Sequence, residues 1–251
     1  MVSEVTGAAQ PDDGAASGLR GQSRTQKVVL AGVFSGMVIL LGLVPSIGFI
    51  PVPTPAGNAT TLHIPVILAG MLAGPAVGAV VGLTFGLFSF LRATTPIFKD
   101  PLVAILPRLF IGVVAWAVYA GALRARRGLL VVIAALAVFL AGSFAWQVHL
   151  HRPTLGSIYL ILVLAAGAAL VYFLWAGKPE AVAVVAGAVL GSFTNTALVL
   201  GMAALLGYLP VQGVLLVAIT HGIPEAIVAA VIASAVIGAL HGTTGRQRSD
   251  L

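Results

Sequence analysis

Four residues that are unusual in a membrane helix lie close together near the carboxyl end of the chain. His221, Gly222, Pro224 and Glu225 share the segment THGIPEAI, inside the otherwise apolar run 211–240. An ionisable side chain at membrane depth is costly unless it is paired or faces water, so such residues indicate ligand binding or proton transfer. The structural alternative is that Glu225 pairs with a neighbouring helix only to hold the bundle together.

The length of this run predicts an irregularity at the same place. As one α-helix, 211–240 would be about 45 Å long, against about 30 Å for the hydrocarbon core of a bilayer. Gly222 is suited to end a helix and Pro224 to begin one. We therefore predict a break or strong kink at 221–224. Glu225 then lies in the first turn of a new helix, where the helix dipole favours its charge.

Two further polar residues stand within apolar segments. Arg108 follows Pro107 and lies below the expected membrane surface, and its planar fork of donors is suited to bind a carboxylate or a phosphate. The alternative for Arg108 is an interfacial side chain that extends to water. Asn195, in GSFTNTALVL, could bind a polar ligand or form a contact between helices.

The first loop, GFIPVPTPAGNATTLHIPVI, spans residues 48–67. Its four prolines and Gly57 prevent regular helix until about His63. Asn58 and His63 follow these breakers. The loop could be a lid over a pocket, or an ordinary solvated connection.

The composition of the chain indicates the class of protein to which it belongs. The chain has 251 residues, of which 59% are hydrophobic and only 8% charged, so it is an all-α integral membrane protein. The formal charge of +6 comes from basic residues between apolar runs, which indicates membrane topology and not nucleic-acid binding. Cysteine is absent. Motifs of phosphate loops, metalloproteases and serine hydrolases are also absent, so we expect no enzyme, no catalytic residue, no metal and no cofactor.

The apolar runs predict how many times the chain crosses the membrane. Run 62–91 contains Gly74-Pro75, which predicts a hairpin of two shorter helices, the first of them sheltered by neighbours. With that hairpin, nine of the 13 Lys and Arg lie on the cytoplasmic side, which is the arrangement that the positive-inside rule favours. The prediction is eight helices with both termini cytoplasmic. The runs are 28–44, 62–91, 102–123, 129–147, 156–176, 181–206 and 211–240.

Two patterns complete the organisation of the chain. Glycines at a step of four allow close packing of helices or could form the floor of a cavity; they are Gly70, Gly74, Gly78, Gly82 and Gly86. The predicted domains are a disordered cytoplasmic tail over 1–23, a single transmembrane domain over 24–241, and a second cytoplasmic tail over 242–251.

Several segments together resemble the substrate-binding S component of energy-coupling-factor (ECF) vitamin transporters, most of all the pantothenate-type branch. The resemblance covers about 27–124 and 185–240. It is carried, in this order, by KVVLAGVFSGMVILLG, GFIP, NATTLHIPVILAGMLAGPAVGAVVGLTFGLFSF, FKDPLVAILPRLFIGVVAWAVY, GSFTNTALVLG and HGIPEAIVAAVI.

The resemblance implies a six-helix core that captures a vitamin at the outer side of the bacterial plasma membrane. It implies a transmembrane T component and two ATPase subunits as partners, besides membrane lipid. Two helices at about 129–176 would be inserted into this core. The family's first loop is a lid. Its first helix meets the T component through small residues, which correspond here to Ala31, Gly32, Ser35 and Gly36.

The functional expectation is high-affinity capture of pantothenate or another B-type vitamin for ATP-driven uptake. The expected substrate-binding residues are Asn58, His63, Arg108, Asn195, His221 and Glu225. A pyridoxine-, pyrimidine- or folate-like ligand would meet much the same polar groups. A different class of function, a stand-alone secondary transporter driven by protons through His221 and Glu225, stays open at this point.

Overall fold

The computed structural model describes residues 22–51, 58–126, 153–176 and 179–249, with scattered positions between 128 and 150. The described residues are helical apart from loops and one short two-stranded hairpin. The elements are α1 (Arg24–Leu43), β1 (Phe49–Pro51), β2 (Asn58–Thr60), α2 (His63–Ala73), α3 (Pro75–Leu91), α4 (Leu106–Arg124), α5 (Pro153–Trp175), α6 (Pro179–Leu205), α7 (Val211–Val217) and α8 (Ile223–Ser249). Short helical turns occur at Pro45–Gly48, Pro96–Lys99 and Pro101–Ala104.

Four helices within the described ranges are long and apolar enough to cross a membrane. They are Arg24–Leu43, Pro101–Arg124, Pro179–Leu205 and Gln212–Leu240. The helices α2 and α3 are apolar but shorter. These findings agree with the predicted integral membrane protein.

The helical hairpin predicted at Gly74-Pro75 is confirmed. Gly74 separates α2 from α3 and has a φ of 96°. Pro75 begins α3, where the missing N–H of proline costs no hydrogen bond. The 11 residues of α2 cover only about 16 Å. All of them except Leu72 are buried, so neighbouring helices shelter α2 as expected.

Gly74→Ala is expected to destabilise the protein by about 1–3 kcal/mol, because this backbone conformation is almost exclusive to glycine. A steric clash does not cause this loss of stability, since an added Cβ at Gly74 meets nothing within 4 Å. Gly238→Ala is the matched control, because its site is equally open. Thermal unfolding in detergent measures both; equal midpoints for the two variants would contradict this account of Gly74.

Helix α4 lies at the centre of the described bundle and packs against α2, α3 and α6. Its Gly112 faces two glycines of the helical hairpin. A Cβ added at Gly78 would lie 2.9 Å from the Cα atoms of both Gly112 and Gly70. Of the two interpretations of the spaced glycines, the structure shows close helix packing, with Gly74 serving as the turn.

The first loop contains an antiparallel hairpin in which Phe49 pairs with Thr60 and Pro51 with Asn58. The sequence did not predict these strands. Helix α2 begins at His63, as the prolines predicted. A hydrogen bond from Thr61 Oγ1 to the carbonyl of Ile47, 2.9 Å long, joins the residue after β2 to the helical turn Pro45–Gly48 that follows α1. The hairpin is therefore fixed above the beginning of α2.

The helix is irregular at the predicted break or kink, and α8 begins at Ile223 as predicted, but the chain does not break there. Residues Ala218–Gly222 form a π-helical turn that joins α7 to α8, so the helix continues. Gly222 does not have a positive φ, unlike a glycine that ends a helix. The wider turn accommodates Pro224, which has no N–H to donate and whose ring would crowd a carbonyl of an ordinary α-helical turn.

The structure continues one helix into a predicted tail, and it leaves two predicted segments largely undescribed. Helix α8 continues to Ser249, through most of the tail predicted at 242–251, because extending an existing helix costs far less than starting one. The predicted helix 129–147 lies largely outside the described residues, as does most of the tail 1–23. The second predicted extra helix is present as α5, and among the described helices it packs mainly against α6.

Candidate functional site

Seven buried polar or charged residues are found in the part of the chain that the structure describes, and we call them the polar cluster. They are His63, Arg108, Ser192, Asn195, Thr196, His221 and Glu225. They come from the beginnings of α2, α4 and α8, the π-helical turn, and the second half of α6. Helix α6 runs opposite to α2 and α4, because Glu180 contacts Tyr119, Gly187 faces Met71 and Ser192 contacts His63. These positions therefore lie toward one end of the bundle.

His63 joins α2 to α6 within the cluster. It is 1% exposed, and its Nε2 lies 3.2 Å from the hydroxyl oxygen of Ser192. Its other ring nitrogen, Nδ1, is buried and has no hydrogen-bond partner among the described residues. Buried polar atoms are seldom left unsatisfied in native proteins. His63 can therefore offer one ring nitrogen to a ligand while Ser192 fixes the ring.

Arg108 lies between two aromatic rings at the beginning of α4. The centre of its guanidinium is 5.3 Å from the ring centroid of Phe85 and 5.1 Å from that of Phe98. Nη1 donates a hydrogen bond to the carbonyl of Val103, and Nε is buried without a partner. The side chain is 3% exposed, so it does not extend to water as the interfacial alternative requires.

Glu225 lies in the first turn of α8 and contacts the first loop. Its Oε1 accepts a hydrogen bond of 2.7 Å from the backbone N–H of Thr60, at the end of β2. Placement in the first helical turn was predicted from Pro224. The hydrogen-bond partner is a strand of the first loop and not a neighbouring helix, so Glu225 fixes the hairpin over the polar cluster.

Helix α6 contributes three residues to the cluster from one face. Ser192, Asn195 and Thr196 have the spacing of three and four residues that places side chains on the same side of a helix. Asn195 Oδ1 is buried without a hydrogen-bond partner among the described residues. An added Cβ on Gly222 would lie 3.0 Å from Thr196 Cγ2, so the π-helical turn packs directly on this face.

The structure places five of the six predicted substrate-binding residues in the cluster. His221 is buried in the π-helical turn, where its Nδ1 lies 3.0 Å from the hydroxyl oxygen of Thr220. Asn58 lies in β2, and its side chain is outside the described residues. The sequence prediction missed Ser192 and Thr196. Their helical spacing around Asn195 was the signal that could have identified them.

The charges in the cluster are of opposite sign. Arg108 and Glu225 are close enough to attract each other through the protein interior. Three or more His, Asp or Glu side chains that could hold a metal ion do not come together anywhere in the described ranges. Arg108 can bind an anionic group of a ligand, and Ser192, Asn195 and Thr196 can bind polar groups.

Two of the four small residues of α1 contact the rest of the bundle, and the other two are exposed. Ala31 packs against the core, and Ser35 Oγ lies 3.2 Å from Thr84 Oγ1 on α3. Gly32 and Gly36 are exposed, and an added Cβ at either meets nothing within 4 Å. The accessible part of this patch is therefore Gly32 and Gly36.

A groove of about 600 Å³ lies apart from the polar cluster, between α5 and described positions of the segment before it. Its lining includes Val138, Phe139, Trp146 and Leu164 and is mainly apolar. It lacks charged groups, so the polar cluster is the better candidate for a binding site.

A comparison with curated proteins finds the pantothenate transporter PanT of Leuconostoc mesenteroides subsp. mesenteroides. The two sequences are 29% identical over 101 residues, which cover 37% of this chain and 50% of the relative. The chain thus spans about half the length of this curated relative. The similarity supports the pantothenate-type branch that the sequence segments indicated.

A family model described as "ECF transporter, substrate-specific component" matches residues 26–237. The match includes every residue of the polar cluster and confirms the resemblance. It also confirms that the chain is a membrane transport component and not an enzyme. The chain therefore belongs to the family of substrate-specific components of ECF transporters.

Proposed function

We propose that the protein captures a carboxylate-bearing B-type vitamin, with pantothenate as the best candidate, and delivers it to an ATP-driven ECF complex. The observation that carries this proposal is Arg108, a buried cation whose Nε has no partner among the described residues. A guanidinium with a free N–H is a strong donor for a carboxylate. The curated relative, itself described as a pantothenate transporter, supports the same ligand.

Two other buried atoms of the cluster without partners among the described residues also match groups of pantothenate. Asn195 Oδ1 is an acceptor, and His63 Nδ1 can donate or accept according to its tautomer. Pantothenate carries a carboxylate, an amide and hydroxyl groups, so it can satisfy all three. Pyridoxine- and pyrimidine-like ligands lack the carboxylate that suits Arg108. A folate-like ligand carries one and is the main competitor by charge.

The proposal includes an arrangement in the membrane. The chain would cross the bacterial plasma membrane eight times, with a transmembrane domain over 24–241 and cytoplasmic tails at both ends. The polar cluster would then lie toward the outer surface, where a vitamin is captured. The exposed glycines Gly32 and Gly36 would face the T component, and two ATPase subunits would supply the energy.

A stand-alone proton-coupled transporter is the second candidate. The observation in its favour is a buried carboxylate, Glu225, near the buried rings of His63 and His221. Against it, the chain belongs to the family of substrate-specific components of ECF transporters. The two candidates differ in whether the protein accumulates vitamin without partner subunits.

The test combines binding and uptake. The purified protein is expected to bind pantothenate more tightly than pyridoxine, thiamine or uracil in a binding panel that also includes folate. Cells that express the chain without T component and ATPases are expected to bind radiolabelled pantothenate but not to accumulate it. Accumulation driven by a proton gradient in such cells would contradict the proposed ECF mechanism. Absence of binding would contradict the proposed ligand.

A further inference from the structure

When Glu225 is ionised, the polar cluster carries one positive and one negative charge before a ligand binds. Arg108 from α4 is the cation and Glu225 from α8 is the anion, and both are buried. The other ionisable groups buried with them in the described part of the chain, apart from the tyrosines, are His63 from α2 and His221 from the π-helical turn. Helix α6 contributes only Ser192, Asn195 and Thr196, α3 contributes Phe85, and the first loop contributes the backbone of Thr60.

A carboxylate ligand would disturb this balance. Its charge makes the buried site a net anion, and an uncompensated charge in a medium of low polarity is strongly unfavourable. The ligand carboxylate and Glu225 would also compete for the same guanidinium. Lys99 is exposed at the surface, where water screens its charge, so it does not restore the balance. The complex therefore requires another positive charge.

We propose that capture of the carboxylate vitamin takes up one proton from the external solution, and that Glu225 binds it. The proton adds to the carboxylate of Glu225 and converts it to a carboxylic acid. The ligand contributes one negative charge and the proton one positive charge, so the site is neutral before and after capture. This inference rests on the proposed function, because it needs a ligand with a carboxylate.

The geometry favours Glu225 over the two histidines as the proton acceptor. Oε1 accepts from Thr60 N–H, and a proton on Oε2 leaves that hydrogen bond in place. Protonating His63 or His221 would instead add a second buried cation to the polar cluster, while the two carboxylates would still repel each other. A proton on Glu225 removes this repulsion at its source, and the unpartnered Nε of Arg108 can donate to the ligand.

Calorimetric titration with pantothenate measures directly how many protons the protein takes up on binding. In buffers that differ in ionisation enthalpy, the slope of the observed enthalpy gives the number of protons taken up. The expected value for the unmodified protein is one, in a pH range where Glu225 is ionised when free and protonated in the complex. Over that range the dissociation constant is expected to rise about tenfold for each unit of pH.

Two variants make the test specific. Glu225→Gln keeps an oxygen that can accept from Thr60 N–H but cannot take up a proton, so proton uptake should fall to zero and the pH dependence should disappear. Glu180→Gln is the matched control. Its carboxylate accepts from Tyr119 Oη at 3.3 Å, near the start of α6 and away from the polar cluster. This variant should still take up one proton.

The outcomes separate this inference from the proposed function. Tight binding of pantothenate without proton uptake would overturn the inference and leave the proposed function intact. Uptake that persists in Glu225→Gln would overturn the assignment to Glu225. Failure to bind pantothenate or any other carboxylate vitamin would overturn the proposed function and the inference with it.

Discussion

Arg108→Met is expected to weaken binding of a carboxylate vitamin by roughly 100-fold, which corresponds to about 3 kcal/mol for a lost charged hydrogen bond. Methionine keeps much of the apolar volume between Phe85 and Phe98 but supplies neither charge nor donor. The substitution also leaves Glu225 without its buried counter-charge. Both effects act against an anionic ligand, which makes this the largest expected effect on binding.

Two further variants test whether ligand affinity depends on the planar guanidinium of Arg108 itself. Arg108→Lys keeps the charge but loses the planar guanidinium, so an intermediate loss of affinity is expected. Arg92→Met is the matched control, because the guanidinium of Arg92 also lies over a ring, 5.9 Å from the centroid of Phe88, but is exposed. Binding by Arg92→Met should match that of the unmodified protein.

The measurement is equilibrium binding of radiolabelled pantothenate to purified, folded variants. Circular dichroism and thermal unfolding establish that each variant has kept its structure. A folded Arg108→Met variant with unchanged affinity would remove Arg108 from the binding site. An equal loss of affinity in Arg92→Met would show that the effect comes from net charge.

Gly112→Ala is expected to be among the most destabilising single methyl additions in the described bundle. The new Cβ would lie 2.6 Å from the Cα of Gly78 and 2.9 Å from the carbonyl oxygen of Val66. Both are backbone atoms, so relief requires whole helices to separate. Overpacking of this kind costs typically about 1–3 kcal/mol. Since Gly112 lies one helical turn after Arg108, separation of α4 should also displace the guanidinium.

Gly121→Ala provides the control on the same helix. An added Cβ there meets nothing within 4 Å, and alanine favours a helix over glycine by about 1 kcal/mol. We expect a lower unfolding midpoint and weaker binding for Gly112→Ala, and an unchanged or higher midpoint for Gly121→Ala. Equal midpoints would contradict the close packing of α4 against α2 and α3.

Sequence reasoning succeeded where a local rule determines the structure. The helical hairpin was predicted at Gly74-Pro75 because glycine tolerates the positive φ of a turn and proline, which lacks an N–H, is suited to begin the next helix. His63 was identified as the start of a helix because the prolines before it exclude one. Arg108, Asn195, His221 and Glu225 were expected below the membrane surface because they lie within apolar runs, and the structure buries all four; their role in binding stays a prediction.

The remaining features depend on contacts that local rules do not describe. Ser192 and Thr196 were missed because hydroxyl groups are common in membrane helices, where they can bond to their own backbone. Thr196 Oγ1, for example, lies 3.5 Å from the carbonyl of Ser192. The hydrogen bond from Thr60 to Glu225 joins segments 165 residues apart in the chain. The first-loop strands pair within one loop, but the prolines in it gave no pattern of alternating residues that would predict strands. Such pairings follow from packing and not from a local pattern.

The π-helical turn at Ala218–Gly222 makes the site tolerant of a change in chain length at one point. A π turn contains one residue more than an α turn, so deleting a single residue there would restore regular α-helix with little change in the direction of the residues that follow. The same deletion within the regular helix α7 would instead rotate every later residue by about 100° relative to the residues before it. Glu225 would then point away from Thr60, although the span would remain as apolar and nearly as long. Among relatives, we therefore expect a one-residue gap to be tolerated at this turn and to mark a change of the site when it lies elsewhere in α7.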